Sequence, residues 1–112
     1  MQQTELIKGT LQTIVLKLLS DHERMYGYEI TQKVKEISEG NLILTEGALY
    51  PTLHKLVAEG YLSTETEKMG KRTRKYYRLT GHGTAIAIHK VDEFIEFIRV
   101  MSRILQIKPD FN

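Results

Sequence analysis

Residues Lys68 to Arg78 hold six of the chain's sixteen Lys and Arg and none of its fourteen Asp and Glu. The six are Lys68, Lys71, Arg72, Arg74, Lys75 and Arg78, interleaved with Tyr76 and Tyr77. Without this stretch ten basic residues face fourteen acidic ones, a net of −4, so the overall +2 conceals a basic element on an otherwise acidic chain. A local field of that kind suits a phosphate backbone, whose condensed counterions are released when cations approach. A solvated charge run is the plain alternative. Other chemistry is poorly served. The four histidines, His22, His54, His82 and His89, have no metal-ligand spacing, and there is no cysteine to supply a thiolate, a disulfide or a nucleophile. No glycine-rich phosphate loop, nucleophile elbow or paired-histidine motif occurs. The sequence therefore predicts neither an enzyme nor a cofactor.

The basic stretch must be positioned by something. With 112 residues, 41% of them hydrophobic, the chain suffices for one compact unit. It has no secretion-type start and no apolar run approaching about 18 residues, so a cytoplasmic protein with no membrane contact is expected. A first helix is predicted from Leu11, Ile14, Val15, Leu18 and Leu19, with Gly9 as a break and Thr10 as its cap. A second, over roughly 26–38, follows from Tyr26, Ile30, Val34 and Ile37, and ends at Gly40-Asn41. The third begins at Thr45, which can cap it, with Glu46 at the positive end of the helix dipole. Its core stripe is Leu49, Leu53, Leu56 and Val57, and Gly60 stops it. Pro51 removes one backbone bond, to the Gly47 carbonyl, and is expected to bend or loosen the first turn.

After Gly60 the period changes. Segments 61–67 and 75–80 are rich in aromatic and β-branched residues and flank a polar stretch containing Gly70, which predicts a β-hairpin. Alternation places Tyr77 and Leu79 on one face, with Lys75, Tyr76 and Arg78 nearer the other. The basic stretch is thus the tip and return strand of a hairpin directly after a third helix. Three helices and a hairpin form the winged helix-turn-helix order, in which one helix enters the major groove and the wing touches flanking DNA. Beyond Thr80 a helix of about 25 residues carries Ala87, Val91, Phe94, Ile98, Met101 and Leu105 at alternating spacings of four and three, a heptad seam, and spans roughly 37 Å. Pro109 closes it. The expected fold is mainly α with a small β-hairpin: a winged helix-turn-helix over residues 1–80, and a C-terminal dimerisation helix and tail over 81–112. Val91, Phe94, Ile98, Met101 and Leu105 are the candidate dimer contacts, against the alternative that this helix folds back over its own core.

Four stretches in this order resemble the PadR-like family of bacterial transcriptional regulators: Lys8-Gly-Thr-Leu11, Tyr26-Gly-Tyr-Glu-Ile30, Thr45-Glu-Gly-Ala-Leu-Tyr-Pro-Thr-Leu-His-Lys-Leu56 and Arg74-Lys-Tyr-Tyr-Arg-Leu-Thr80. With the terminal helix they cover residues 8–106. The resemblance implies a homodimer on a double-stranded, pseudo-palindromic operator, usually a repressor released by an effector. It places Thr45, Gly47, Tyr50, Pro51, His54 and Lys55 on the recognition helix, and Lys71, Arg72 and Arg74 on the wing. Beside it, the residues themselves assign Lys71 and Arg72 to phosphate or minor-groove contact. Tyr50 and Thr52 are candidates for base edges or phosphates, with packing against the wing open for Tyr50. Gly27, between two tyrosines, is read as a site of close packing. In small members the groove between subunits takes flat apolar compounds, which makes Phe94 a candidate effector contact as well as a seam residue. The competing reading is a winged-helix protein-interaction module that does not read DNA.

Overall fold

The computed structural model describes residues 5–108. Seven elements run in the order α1 (Glu5–Asp21), β1 (Met25–Tyr26), α2 (Gly27–Ile37), α3 (Glu46–Ala58), β2 (Leu62–Met69), β3 (Arg72–Leu79) and α4 (Gly81–Leu105). The helical periodicities become a shared core. Val15, Leu16, Ile30, Leu49, Leu53 and Leu56 are fully enclosed, joined by Met25, Leu62, Tyr77 and Ala87. Ile37, included in the second stripe, is instead 66% exposed at the end of its helix.

One expected boundary is corrected, and one strand is added. Helix α1 starts at Glu5, so Gly9 lies inside it and Thr10 is no cap; the Thr10 hydroxyl donates back to the Ile7 carbonyl. Glycine costs a helix only about 1 kcal/mol relative to alanine. The packing of Ile7 against the core favours carrying the helix through it. The expected hairpin is present as β2 and β3, and β1 extends it to a three-stranded antiparallel sheet in the order β1-β3-β2, with Met25 opposite Tyr77 and Tyr26 opposite Tyr76. A two-residue strand has no period to read, so only its partner's geometry discloses it.

Strands β2 and β3 pair from Leu62 opposite Leu79 out to Met69 opposite Arg72, leaving a two-residue loop, Gly70-Lys71. Gly70 has φ +67° while Lys71 does not enter positive φ, the arrangement of a II′ turn that needs glycine first. The register also corrects Lys75. It shares the inward face with Tyr77, its ammonium 5.7 Å from that ring, while Arg74, Tyr76 and Arg78 line the outer face.

Helix α3 begins as expected: the Thr45 hydroxyl accepts from the Ala48 N–H at 3.2 Å. Pro51 sits inside it on the exposed side and the helix continues to Ala58. Helix α4 is anchored by Thr80, whose hydroxyl accepts from the Gly83 N–H at 2.9 Å and donates to the Gly60 carbonyl at 2.7 Å. Its first turns join the core through Gly83, Ile86 and Ala87, and it packs along α1. Farther out, Val91, Phe94, Ile98 and Met101 are half-buried on the face that also carries buried Ser102, whereas Leu105 is 57% exposed. Beside this face Phe97, Val100 and Ile104 are open. The helix ends with Gln106 in the left-handed region at φ 57°; Pro109 lies outside the described residues.

Candidate nucleic-acid interface

Burying Leu49, Leu53 and Leu56 turns the opposite side of α3 outward, and Gly47, Pro51, His54 and Ala58 form its exposed stripe with Lys55 at its edge. An added Cβ at Gly47 would meet no atom within 4 Å, so nothing inside the protein requires glycine there. Pro51 has no N–H, which leaves the Gly47 carbonyl without its usual intrahelical donor on an exposed turn. Thr45 is exposed but its hydroxyl is engaged in capping. Thr52 lies away from the stripe, half-buried, with its hydroxyl donating to the Ala48 carbonyl at 3.3 Å.

Tyr50 occupies the flank facing the wing. It is half-buried against the core, and its ring fills the space above Gly27, where a Cβ would lie 2.5 Å from the tyrosine oxygen. The close approach expected at Gly27 is thus made by Tyr50. Between Tyr50, the start of α2 (Tyr26 to Tyr28) and the wing strand runs an open cleft of 370 Å³, bordered by Arg72, Thr73, Arg74 and Lys75. The flank of α3 and the basic wing therefore face each other across one groove. Rings on one wall and cations on the other suit a chain of phosphates and sugars.

The six cations of the basic stretch divide by position. Arg78 is neutralised: its guanidinium meets Glu65 at 2.8 Å and Glu23 at 3.2 Å. Arg24 joins the same lattice, 2.6 Å from Glu67 and 3.4 Å from Glu65. The hydrogen bond from Arg78, reinforced by Arg24, holds the Glu65 carboxyl below the usual range, so the lattice is charged near neutral pH. Toward the tip the picture reverses. Lys68, Lys71 and Arg72 are exposed and none lies within 4 Å of a carboxylate among the described residues. Arg74 stacks 4.0 Å over the Tyr26 ring.

The structure thus gathers Tyr50, Lys71, Arg72 and Arg74 around the cleft or wing tip, and Gly47, Pro51, His54 and Lys55 on the adjoining helix face. Arg24, Tyr26 and Tyr28 were not among the sequence candidates. Only the short alternation Arg24-Met25-Tyr26, with Met25 buried between two outward residues, could have pointed to an outer face there. Among the described residues no cluster of His, Asp or Glu could hold a metal ion, and no helix is long and apolar enough to cross a membrane.

Known proteins share this fold. A family model described as the transcriptional regulator PadR-like family matches residues 15–87. A transcriptional regulator of Mycobacterium tuberculosis is 35% identical over 81 residues, covering 72% of each chain. Among solved structures, a PadR-like transcription factor from Bacteroides fragilis superposes with a TM-score of 0.73 at 34% identity, over 89% of this chain and 94% of its own. A transcriptional regulator from Clostridium thermocellum reaches 0.82 at 26% identity, over 92% and 97%. The family match runs from the middle of α1, through α3 and the β2–β3 hairpin, into the first turns of α4: the chain belongs to the PadR-like family of transcriptional regulators.

Proposed function

We propose that two copies of this chain bind an operator duplex as a homodimeric repressor, each placing α3 in a major groove and its wing on the neighbouring backbone. The observation that carries this reading is the shared cleft, with Tyr50 on one side and, on the other, wing cations that have no carboxylate within 4 Å among the described residues. The family is one of DNA-binding transcriptional regulators, not enzymes. The stripe from Gly47 to His54 supplies the groove-facing surface, Tyr50 its wall toward the wing, and Thr45 and Thr52 chiefly shape the helix that carries it. Lys55, at the stripe's edge, and Lys71, Arg72 and Arg74 supply phosphate contacts. In this division of labour residues 1–80 read DNA and α4 pairs the subunits. Val91, Phe94, Ile98, Met101 and Leu105, with exposed Phe97, Val100 and Ile104 beside them, form an apolar surface that a second α4 would cover.

Selection of bound duplexes from a random pool tests the reading directly. Enrichment of an inverted repeat with half-sites about 10 base pairs apart, or a multiple, is expected. No enrichment at low salt, together with a stable 1:1 complex with another protein, would favour the interaction module instead. The repressor is further proposed to respond to a small apolar effector entering between subunits near Phe94, whose ring lies 6.3 Å from that of Phe97. Phe94→Ala should then blunt ligand-induced release from DNA while the dimer persists. Loss of the dimer with the ligand response of the residual complex unchanged would assign Phe94 to packing alone.

A further inference from the structure

The outer face of the sheet carries a ladder of cations and rings. Arg24 lies 3.7 Å over the Tyr76 ring, Tyr76 meets Tyr26 edge to face at 5.5 Å, and Arg74 lies 4.0 Å over Tyr26. The three arginines of this face are not equivalent. Arg24 and Arg78 are matched by carboxylates, whereas Arg74 has none within 4 Å among the described residues. Strand register sets Glu67 opposite Arg74, yet the Glu67 carboxylate is turned to Arg24 at 2.6 Å. Arg74 thus keeps its charge for another partner, and it borders the cleft that faces Tyr50.

We propose that Tyr26 is a positioning residue for DNA binding: its ring fixes the Arg74 guanidinium at the edge of the cleft, ready for a backbone phosphate before the duplex arrives. This rests on the DNA-binding reading above. An unrestrained arginine surrenders rotamer freedom when it binds, whereas a stacked one has already surrendered it on folding. Stacking uses the face of the guanidinium and leaves its N–H edge for bidentate contact with phosphate oxygens. The ring of Tyr26 is not needed for the start of α2, because there the backbone N–H of residue 26 donates to Glu29 Oε1 at 3.1 Å, a bond any side chain at that position retains.

The test is a double-mutant cycle on a duplex recovered by the selection above, with affinity measured across a salt series. Tyr26→Leu should weaken binding about tenfold in the wild-type background and less than about twofold in Arg74→Ala, while Tyr26→Phe stays close to wild type. In the free protein, the Arg74 Nε–H resonance should show a high order parameter in wild type and Tyr26→Phe, and lose it in Tyr26→Leu. Equal weakening in both backgrounds, or a Tyr26→Phe protein as weak as Tyr26→Leu, would overturn the proposal. A wild-type protein that binds no duplex at any salt overturns the DNA reading and this one with it, and so is distinct from a failed cycle on a functional binder.

Discussion

Replacing Gly83 with alanine should destabilise the fold by about 3 kcal/mol and lower its melting temperature by roughly 10 °C. An alanine Cβ at this position would collide with the Tyr61 carbonyl oxygen and lie 2.9 Å from the carbonyl carbon. The obstacle is backbone and cannot rotate away. The carbonyl is also fixed, since it accepts from the Thr80 N–H at 3.1 Å, and Thr80 in turn caps α4 and binds Gly60. Relief therefore requires α4 to lift from the start of β2, which would uncover Ala87 and the α1 surface beneath it. Gly81→Ala is the matched control: it lies two residues away, in the same helix, with nothing within 4 Å of its Cβ position. Thermal unfolding followed by circular dichroism separates the two. A Gly83→Ala protein melting within about 2 °C of wild type would mean that α4 does not seat as closely as described.

Gly83 also illustrates what can be read from the chain and what cannot. A glycine near the start of a helix has no distinctive pattern, because its requirement is set by Tyr61, more than twenty positions earlier. Where the signal is local, the reading is reliable: the 3.6-residue stripe of Leu49, Leu53 and Leu56 placed α3, Thr45 marked its first turn, and Gly70 marked the hairpin loop. Where the partner is remote, it fails. The two-residue β1 exists only because β3 is beside it. Lys75 was assigned to the wrong face because the aromatic pair Tyr76-Tyr77 obscured the alternation that the register makes plain.

The charge anomaly shows the same limit at the interface. Counting along the chain gives six unopposed cations between Lys68 and Arg78, but folding brings acids from elsewhere. Glu65 and Glu23 reach Arg78 from 13 and 55 positions away, and Glu67 engages Arg24 across 43. The carboxylates gather at the root of the wing and leave the tip free. The arrangement concentrates positive potential where the hairpin projects and removes it where the sheet meets the body of the protein.

That division makes the wing variants unequal, with the largest expected effect on DNA binding at the tip. Lys71→Ala/Arg72→Ala removes two exposed cations that have no carboxylate within 4 Å among the described residues. If each neutralises one phosphate, each contributes about 0.9 to the slope of log K against log salt, so the double variant should reduce that slope by nearly two. Extrapolated from 1 M, the same arithmetic gives roughly sixtyfold weaker binding at 0.1 M salt, shrinking as salt rises. The loss should be uniform across operator and unrelated duplexes, because phosphates carry no base information. Arg78→Ala is the informative comparison. It removes one formal charge from the same basic stretch, half of what the double variant removes, but that charge is already opposed by Glu65 and Glu23, so the salt slope should stay at the wild-type value. Fluorescence anisotropy across a salt series reads both numbers from one set of titrations. A slope change in Arg78→Ala half that of the double variant, and so equal per charge removed, would show that the wing acts through its total charge, and the assignment of contact to its tip would have to be abandoned.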